Sequence, residues 1–139
     1  MIGIFLEKCT LFSGFLNLIP LKYLVFCVKY NSMHEYPVTV EGFGTFYIKE
    51  GTKLAKAIEE NGVDISHRCG GNARCTTCNV LFYSEEPPLQ ELEKNCLIED
   101  QVLGQFRLSC QIRVDRPMHV KVLTRASDKG WDPGNPLEP

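Results

Sequence analysis

The chain predicts an α+β domain in which a mixed sheet packs on one main helix. Three observations carry this. Short apolar and alternating runs punctuated by glycine or proline recur between Pro37 and Leu123, the pattern of short strands joined by turns. One amphipathic helical stretch begins at Leu54, and a loop dense in cysteine, Cys69 to Cys78, comes after it. The order is then hairpin, helix, cysteine loop, strand, helical segment, strands, which suits a sheet covered by a helix.

Each element has a local reason. Val38-Thr39-Val40 alternates and reads as a strand, Gly42 and Gly44 mark a turn, and Thr45-Phe46-Tyr47-Ile48 reads as the returning strand. Thr52 is the expected N-cap of the main helix, Leu54, Ala55 and Ile58 give its apolar spacing, and Asn61-Gly62 is its stop signal. Val80 to Tyr83 reads as the third strand. Pro87-Pro88 opens a second helical region, in which Leu89, Leu92, Cys96 and Leu103 are expected on one buried face. Phe106 to Val114 and Met118 to Leu123 read as two further strands separated by Asp115-Arg116-Pro117, and residues 126–139, with three prolines and two glycines, as an irregular C-terminal tail.

Residues 1–32 differ from the remainder of the chain. Leu11 to Val28 is largely apolar but broken by Pro20 and Lys22. Four readings stand: a membrane anchor of near-minimal length, a secretory signal lacking a clear basic start and cleavage site, an extra buried helix, or a stretch ahead of a true start at Met33. The expected division is therefore an apolar extension over 1–32, a domain over 33–125 and a tail over 126–139. The protein is expected in the cytoplasm, or held at a membrane if the extension is an anchor. The 139 residues suit one domain and leave no room for a second catalytic one. The net charge of −2 lacks the basic footprint of a nucleic-acid binder. Residues 1–32 hold Lys8, Lys22, Lys29 and Glu7, which leaves 12 basic and 16 acidic residues, a net of −4, on the remainder. A mildly acidic domain favours a basic docking partner.

Seven cysteines is an odd count, and three of them fall within ten residues, which points to a metal or cluster site rather than a disulfide scaffold. The pattern is Cys69-Gly70-Gly71-Asn72-Ala73-Arg74-Cys75-Thr76-Thr77-Cys78, and 31 intervening residues lead to a cysteine within Arg107-Leu108-Ser109-Cys110-Gln111. Four thiolates complete two tetrahedral irons bridged by two sulfides. Cys75 and Cys78 put two sulfurs in one tight turn. Gly70 and Gly71 free the backbone to approach closely, so that loop N–H groups can point at the sulfides.

This stretch resembles the cluster loop of [2Fe–2S] ferredoxins with the β-grasp fold. The plant-type spacing is C-x4-C-x2-C; the first gap here holds five residues, as in adrenodoxin-like and bacterial ferredoxins. Arg107 to Gln111 is similar to the sequence around their fourth ligand. The resemblance covers residues 37–125 and is specific in the loop. It implies a [2Fe–2S] cluster held by Cys69, Cys75, Cys78 and Cys110, and one-electron transfer from a ferredoxin reductase to an oxygenase or other acceptor. The 31-residue gap is shorter than in adrenodoxin-like proteins, whose helical insert there bears much of the docking surface, so partner choice does not carry over.

Cys96 is a rival fourth ligand, disfavoured by its place on an apolar helical face, where a free cysteine packs as a small hydrophobe. Zinc is disfavoured because structural zinc sites pair two short Cys knuckles and this chain has one. A Rieske centre needs two histidine ligands, and His34, His67 and His119 show no paired spacing. His67 and Arg68 read as a polar rim, with tuning of the cluster as the alternative; Arg74 reads equally as a solvated residue or as an offset to cluster charge. Glu85, Glu86, Glu91, Glu93, Glu99 and Asp100, with Lys94, are either a docking patch or the solvated face of a helix. Trp131 either covers the domain or meets a partner. No acid–base pair or nucleophile stands out, so no catalysis by the chain alone is expected. Beside a free electron carrier, an electron-transfer subunit of a larger enzyme and a redox sensor remain open.

Overall fold

The computed structural model describes residues 33–139; the readings of residues 1–32 lie outside the described residues. Strand β1 (Glu35–Val40) pairs antiparallel with β2 (Gly44–Lys49), from Glu35↔Lys49 to Val40↔Gly44. Helix α1 (Leu54–Glu60) comes next, then the cysteine loop, β3 (Asn79–Phe82), α2 (Glu91–Glu99), β4 (Arg107–Leu108), a single 3₁₀ turn (Ser109–Gln111), β5 (Met118–Val122) and a short α3 (Ala126–Lys129). The five strands lie in the order β2-β1-β5-β3-β4. β1 and β5 run parallel with Val38 opposite Met118, and the other pairs are antiparallel, so the sheet is mixed as expected.

Helix α1 covers this sheet. Its buried residues, Leu54, Ala55, Ala57 and Ile58, fall at the spacing expected from the sequence. Leu54, Ala57 and Ile58 join Val38, Val40, Val80, Val114 and Val120 in one continuous core. Each large aliphatic side chain among them contributes roughly 1.5–3 kcal/mol when fully buried. Thr52 is not the N-cap. That position is Lys53, without a side-chain cap, because the first helical N–H is met from another part of the chain: Leu54 N donates to Ile112 O at 2.8 Å. The stop at Asn61-Gly62 is as expected, with Asn61 Nδ2 closing on Ala57 O at 2.7 Å.

Two expectations are corrected. Phe106 to Val114 is not one strand. It pairs with β3 only at Arg107 and Leu108, then winds into the 3₁₀ turn. It emerges at Ile112 and Val114 to bond with the stretch ahead of α1, Val114 N donating to Thr52 O at 2.9 Å. The second helix is also shorter than its apolar pattern, which leaves Leu89 and Leu103 outside it. Leu89, Leu92 and Leu103 are exposed, Leu92 by 56%, while Cys96, as expected, faces inward together with Glu93 and Leu97. An ion pair holds this inward face. Glu93 is wholly buried; its Oε1 accepts from Arg107 Nε at 2.8 Å and its Oε2 from Arg107 Nη2 at 2.9 Å. Oε1 also accepts from Leu108 N at 2.8 Å, and Arg107 Nη1 reaches Pro87 O at 2.8 Å. With the pair bidentate and its remaining valences met, turning Glu93 outward would leave the Arg107 charge buried with less compensation.

Asp64 fixes the chain's exit. It accepts from Arg125 Nε and Ser127 N, both at 2.8 Å. Hydrogen bonding from the Ser127 side chain, with its N–H and Arg125 assisting against burial, holds the Asp64 carboxyl well below the usual carboxylate range.

Both anchors can be tested by substitution. Glu93→Ala strands the Arg107 charge and should destabilise the domain by about 3–5 kcal/mol in urea unfolding; a cost below about 1 kcal/mol, the range of exposed pairs, would show that the pair does not hold α2. Because the Asp64 pKa is depressed on folding, its contribution is full above the unfolded value of about 4 and lost as pH falls through the folded value. Asp64→Asn should therefore lower the urea midpoint at pH 7, with the gap to wild type closing in acid; a gap that does not depend on pH would refute this.

Candidate metal centre

The cysteine loop spans residues 66–78, and both its ends are tied. Ser66 N donates to Thr124 O at 3.1 Å and His67 N to Pro133 O at 2.8 Å. At the other end Cys78 O accepts from Ser109 N at 2.9 Å and from Ser109 Oγ at 2.7 Å. Between them the backbone curls through left-handed conformations at Gly70, Gly71, Ala73 and Thr76. For the two residues that carry a Cβ this costs of order 1–3 kcal/mol each, so the loop is held in shape by its surroundings.

The curl turns N–H groups toward sulfur. Burial alone would push the Cys69 thiol up, but N–H groups of Arg74, Asn72 and Gly71, with the Cys75 side chain, bring it below its ordinary value. Cys75 Sγ accepts from Cys69 N at 3.4 Å and lies 3.1 Å from Thr77 Oγ1. Cys110 arrives on the 3₁₀ turn. Its neighbour Gln111 donates through Nε2 to Gly71 O at 2.7 Å and to Cys110 Sγ at 3.5 Å. Hydrogen bonding with Cys78 is the main cause that lowers the Cys110 thiol to about 7, against burial and aided by Gln111 and the Ala73 N–H. The same contact, with burial, holds the proton on Cys78.

The thiols thus stand as two pairs, Cys69 with Cys75 and Cys78 with Cys110. Among the described residues no three His, Cys, Asp or Glu side chains converge as a single ion would require. Two irons bridged by sulfide take two thiolates each, and the N–H groups aimed at Cys69, Cys75 and Cys110 suit an anionic cluster. The donor set fits that group. Cys96 is buried nearby in the apolar cluster of Leu97, Leu108, Cys78 and Cys110. Burial first, then the negative charges of Asp100 and Cys110, push its thiol up.

Other sequence candidates divide. His67 is not a rim residue: it is 2% exposed, with Nε2 2.8 Å from Glu59 Oε1 and Nδ1 2.9 Å from Asn135 O. Arg68 is exposed, its guanidinium 4.8 Å over the Trp131 ring, and Arg74 is exposed on the loop. Of the acidic stretch, Glu85, Glu86, Glu91, Glu99 and Asp100 lie at the surface, and Glu93 is the buried anchor. Two further participants carry no signal in the sequence: the strained Ala73, and Leu137, which packs among the cysteines. Gln111, adjacent to a cysteine in the motif, is legible there only as a neighbour.

Residues 38–115 match the family model described as the 2Fe-2S iron-sulfur cluster binding domain. The chain is 36% identical over 81 residues to an adrenodoxin homolog of Encephalitozoon cuniculi, covering 53% of this chain and 62% of that protein. It is 28% identical over 85 residues to one subunit of the Na(+)-translocating NADH-quinone reductase of Methylococcus capsulatus, covering 61% of this chain and 21% of that one. The chain spans less than two thirds of the length of both curated relatives. Among solved structures it is similar to the ISC-like [2Fe-2S] ferredoxin of Pseudomonas putida, with a TM-score of 0.54 and 26% identity over 63% of this chain and 92% of that one. Putidaredoxin from Pseudomonas putida gives a TM-score of 0.50 and 27% identity over 66% and 97%. Sheet, covering helix and thiol-bearing loop are together those of a β-grasp iron–sulfur protein. More particularly, the chain belongs to the 2Fe-2S iron-sulfur cluster binding domain family.

Gly71 is constrained by its backbone conformation and by a tight contact. Its φ is +88°, and an added Cβ would lie 3.2 Å from Leu137 Cδ2 and 3.7 Å from Cys110 Cβ. Gly71→Val should cost about 1–3 kcal/mol and reduce iron incorporation; wild-type iron content with an unchanged unfolding midpoint would contradict the close packing.

Proposed function

We propose that this protein is a one-electron carrier that accepts an electron from a reductase and passes it to an oxygenase or another acceptor, through a [2Fe–2S] cluster held by Cys69, Cys75, Cys78 and Cys110. The observation that carries the reading is that the turn bearing Cys110 is fastened to the cysteine loop, Ser109 Oγ donating to Cys78 O at 2.7 Å and Gln111 Nε2 to Gly71 O at 2.7 Å, with Cys69 N on Cys75 Sγ at 3.4 Å. When bound, such a cluster supplies one-electron redox chemistry. The chain's own groups do the rest. The N–H groups of the loop and the Gln111 amide offset negative charge at the sulfurs. Leu97, Leu108 and Leu137 exclude water behind Cys78 and Cys110, while Cys69 and Cys75 are only half-buried, which leaves one edge within reach of a partner. The surface carboxylates of Glu85, Glu86, Glu91, Glu99 and Asp100 would steer a basic partner, chiefly by raising the association rate at low salt.

In this reading the cluster-bearing domain is residues 33–125, residues 1–32 precede it as a separate segment, and the protein works in the cytoplasm. Among the described residues no helix is long and apolar enough to cross a membrane. A second reading, an electron-transfer subunit of a larger oxidoreductase, is favoured by the similarity to the quinone reductase component, of which this chain covers 21%.

An anaerobic absorption and EPR spectrum with iron and sulfide assays tests the proposal. About two irons and two sulfides per chain, with a rhombic S = 1/2 signal after reduction, are expected. Stoichiometric zinc in a colourless protein would sink it. Cys110→Ser should impair cluster loading and Cys96→Ser should not; the reverse would reassign the fourth ligand. Co-purification of a stable flavoprotein complex would favour the second reading over the first.

A further inference from the structure

We infer that the C-terminal segment 131–137 is a strap that forms one wall of the cluster site, and that His67 is the positioning residue that keys it to the loop. The inference rests on the reading that the loop holds a cluster. It makes a functional part of a segment whose composition reads as an irregular tail.

The strap lies along the first half of the loop, contact by contact. The Trp131 ring stacks under Arg68 at 4.8 Å. Pro133 O accepts from His67 N at 2.8 Å, and Asn135 Nδ2 donates to Arg68 O at 3.4 Å. Gly134, at φ +125°, passes so close that an added Cβ would lie 2.5 Å from His67 O and 2.6 Å from Arg68 Cα. A Cβ on Gly70 would stand 3.0 Å from Asn135 Cβ, and one on Gly71 would stand 3.2 Å from Leu137 Cδ2. Leu137 ends the run, 8% exposed, in the apolar cluster that holds Cys78, Cys96 and Cys110. At Gly134 and Gly70 the two backbones come together, the Gly70 Cβ position lying 3.2 Å from Pro136 O, while Gly71 faces the Leu137 side chain.

His67 joins three elements at this contact. Its Nδ1–H donates to Asn135 O in the strap, its Nε2 lies 2.8 Å from Glu59 Oε1 on α1, and its own backbone lies two residues before Cys69. Both ring nitrogens face oxygen, so the ring is held in one orientation. A lysine or a hydrophobe could not meet both partners at once. The main core does not depend on any of this, since its fully buried members lie between Val38 and Val120. The strap lies outside that core and reaches the second apolar cluster through Leu137.

A wall of this kind has a redox consequence. The reduced cluster carries one more negative charge than the oxidised one, so water admitted to the loop favours the reduced form, and the potential rises. Two variants test it in the holoprotein: a chain ending at Gly130, and Gly134→Ala, which lifts the strap by steric contact alone. Both should keep the far-UV circular dichroism of wild type. Both should lose iron to a chelator about tenfold faster, the scale of effects beyond the direct ligands, and both should show a raised potential. Deuterium uptake at residues 66–72, read by mass spectrometry, should accelerate. His67→Phe should reproduce these effects, and His67→Gln, which keeps a polar group toward Asn135, should recover part of them. A lowered melting temperature with unchanged potential and unchanged iron loss in both strap variants would overturn the inference, reducing the strap to a stabiliser. If the unaltered protein fails to hold two irons and two sulfides, the cluster reading fails instead; the deuterium-uptake arm still decides whether the strap holds the loop.

Discussion

The alignment of Asn79 with Leu108 is the constraint on which the rest of the structure depends. These residues stand opposite one another where β3 meets β4, and one step further along, Ser109 bonds twice to Cys78 O. That step brings Cys78 and Cys110, with 31 residues between them, together. Closing such a loop costs chain entropy that two ladder residues do not offset by themselves. The remainder comes from Arg107, next in line, whose guanidinium is gripped by Glu93, with Glu86 and Pro87 O beside it. The ion pair thus acts at a distance from the sulfurs but sets where the last of them can be.

Charge governs the site as it governs the anchor. Four thiolates in a partly buried loop are costly unless donors surround them. The left-handed residues are the means by which this chain supplies donors without using side chains: at Gly71, Asn72 and Arg74 the peptide N–H turns inward, toward Cys69. The strain at Ala73 and Thr76 is offset by what those conformations aim. Pairing adds a second effect, because the Cys78–Cys110 contact keeps one proton between two sulfurs and leaves Cys110 at about 7. Cys69 and Cys110 therefore yield their protons to an arriving cation more readily than Cys78 does.

How much of this was legible in the amino-acid order tracks the range of the interactions. The hairpin, α1 and its stop depend on neighbours a few residues away, and period and glycine placement show them. The cysteine spacing is also local, apart from Cys110, which needed the motif around it. The misses are the long-range ones. Leu89, Leu92 and Leu103 suggest a longer helix with an apolar stripe, but α2 stops at Glu99 and turns Glu93 inward to meet Arg107 fourteen residues on, a pairing that periodicity does not register. Thr52 has the chemistry of a cap, yet Ile112 O meets the helix N–H first. His67 and the tail look polar and irregular because their partners, Glu59 and residues 133–137, are each invisible from the other's sequence context.

The two hydrophobic clusters explain why these long-range contacts can be specialised without endangering the fold. One lies between α1 and the sheet and is made largely of aliphatic side chains. The other, beneath the loop, mixes Leu97, Leu108 and Leu137 with three cysteines. Helix α1 serves both, turning Leu54 and Ile58 to the first and Ala55 to the second. An alanine at that point lets the loop settle close to the helix, where a larger side chain would hold it off. The cluster beneath the loop is dry on the side of Cys78 and Cys110 and open on the side of Cys69 and Cys75. Of the four thiols, Cys69 and Cys75 are thus the ones within reach of the surface, and the apolar wall lies behind the other two.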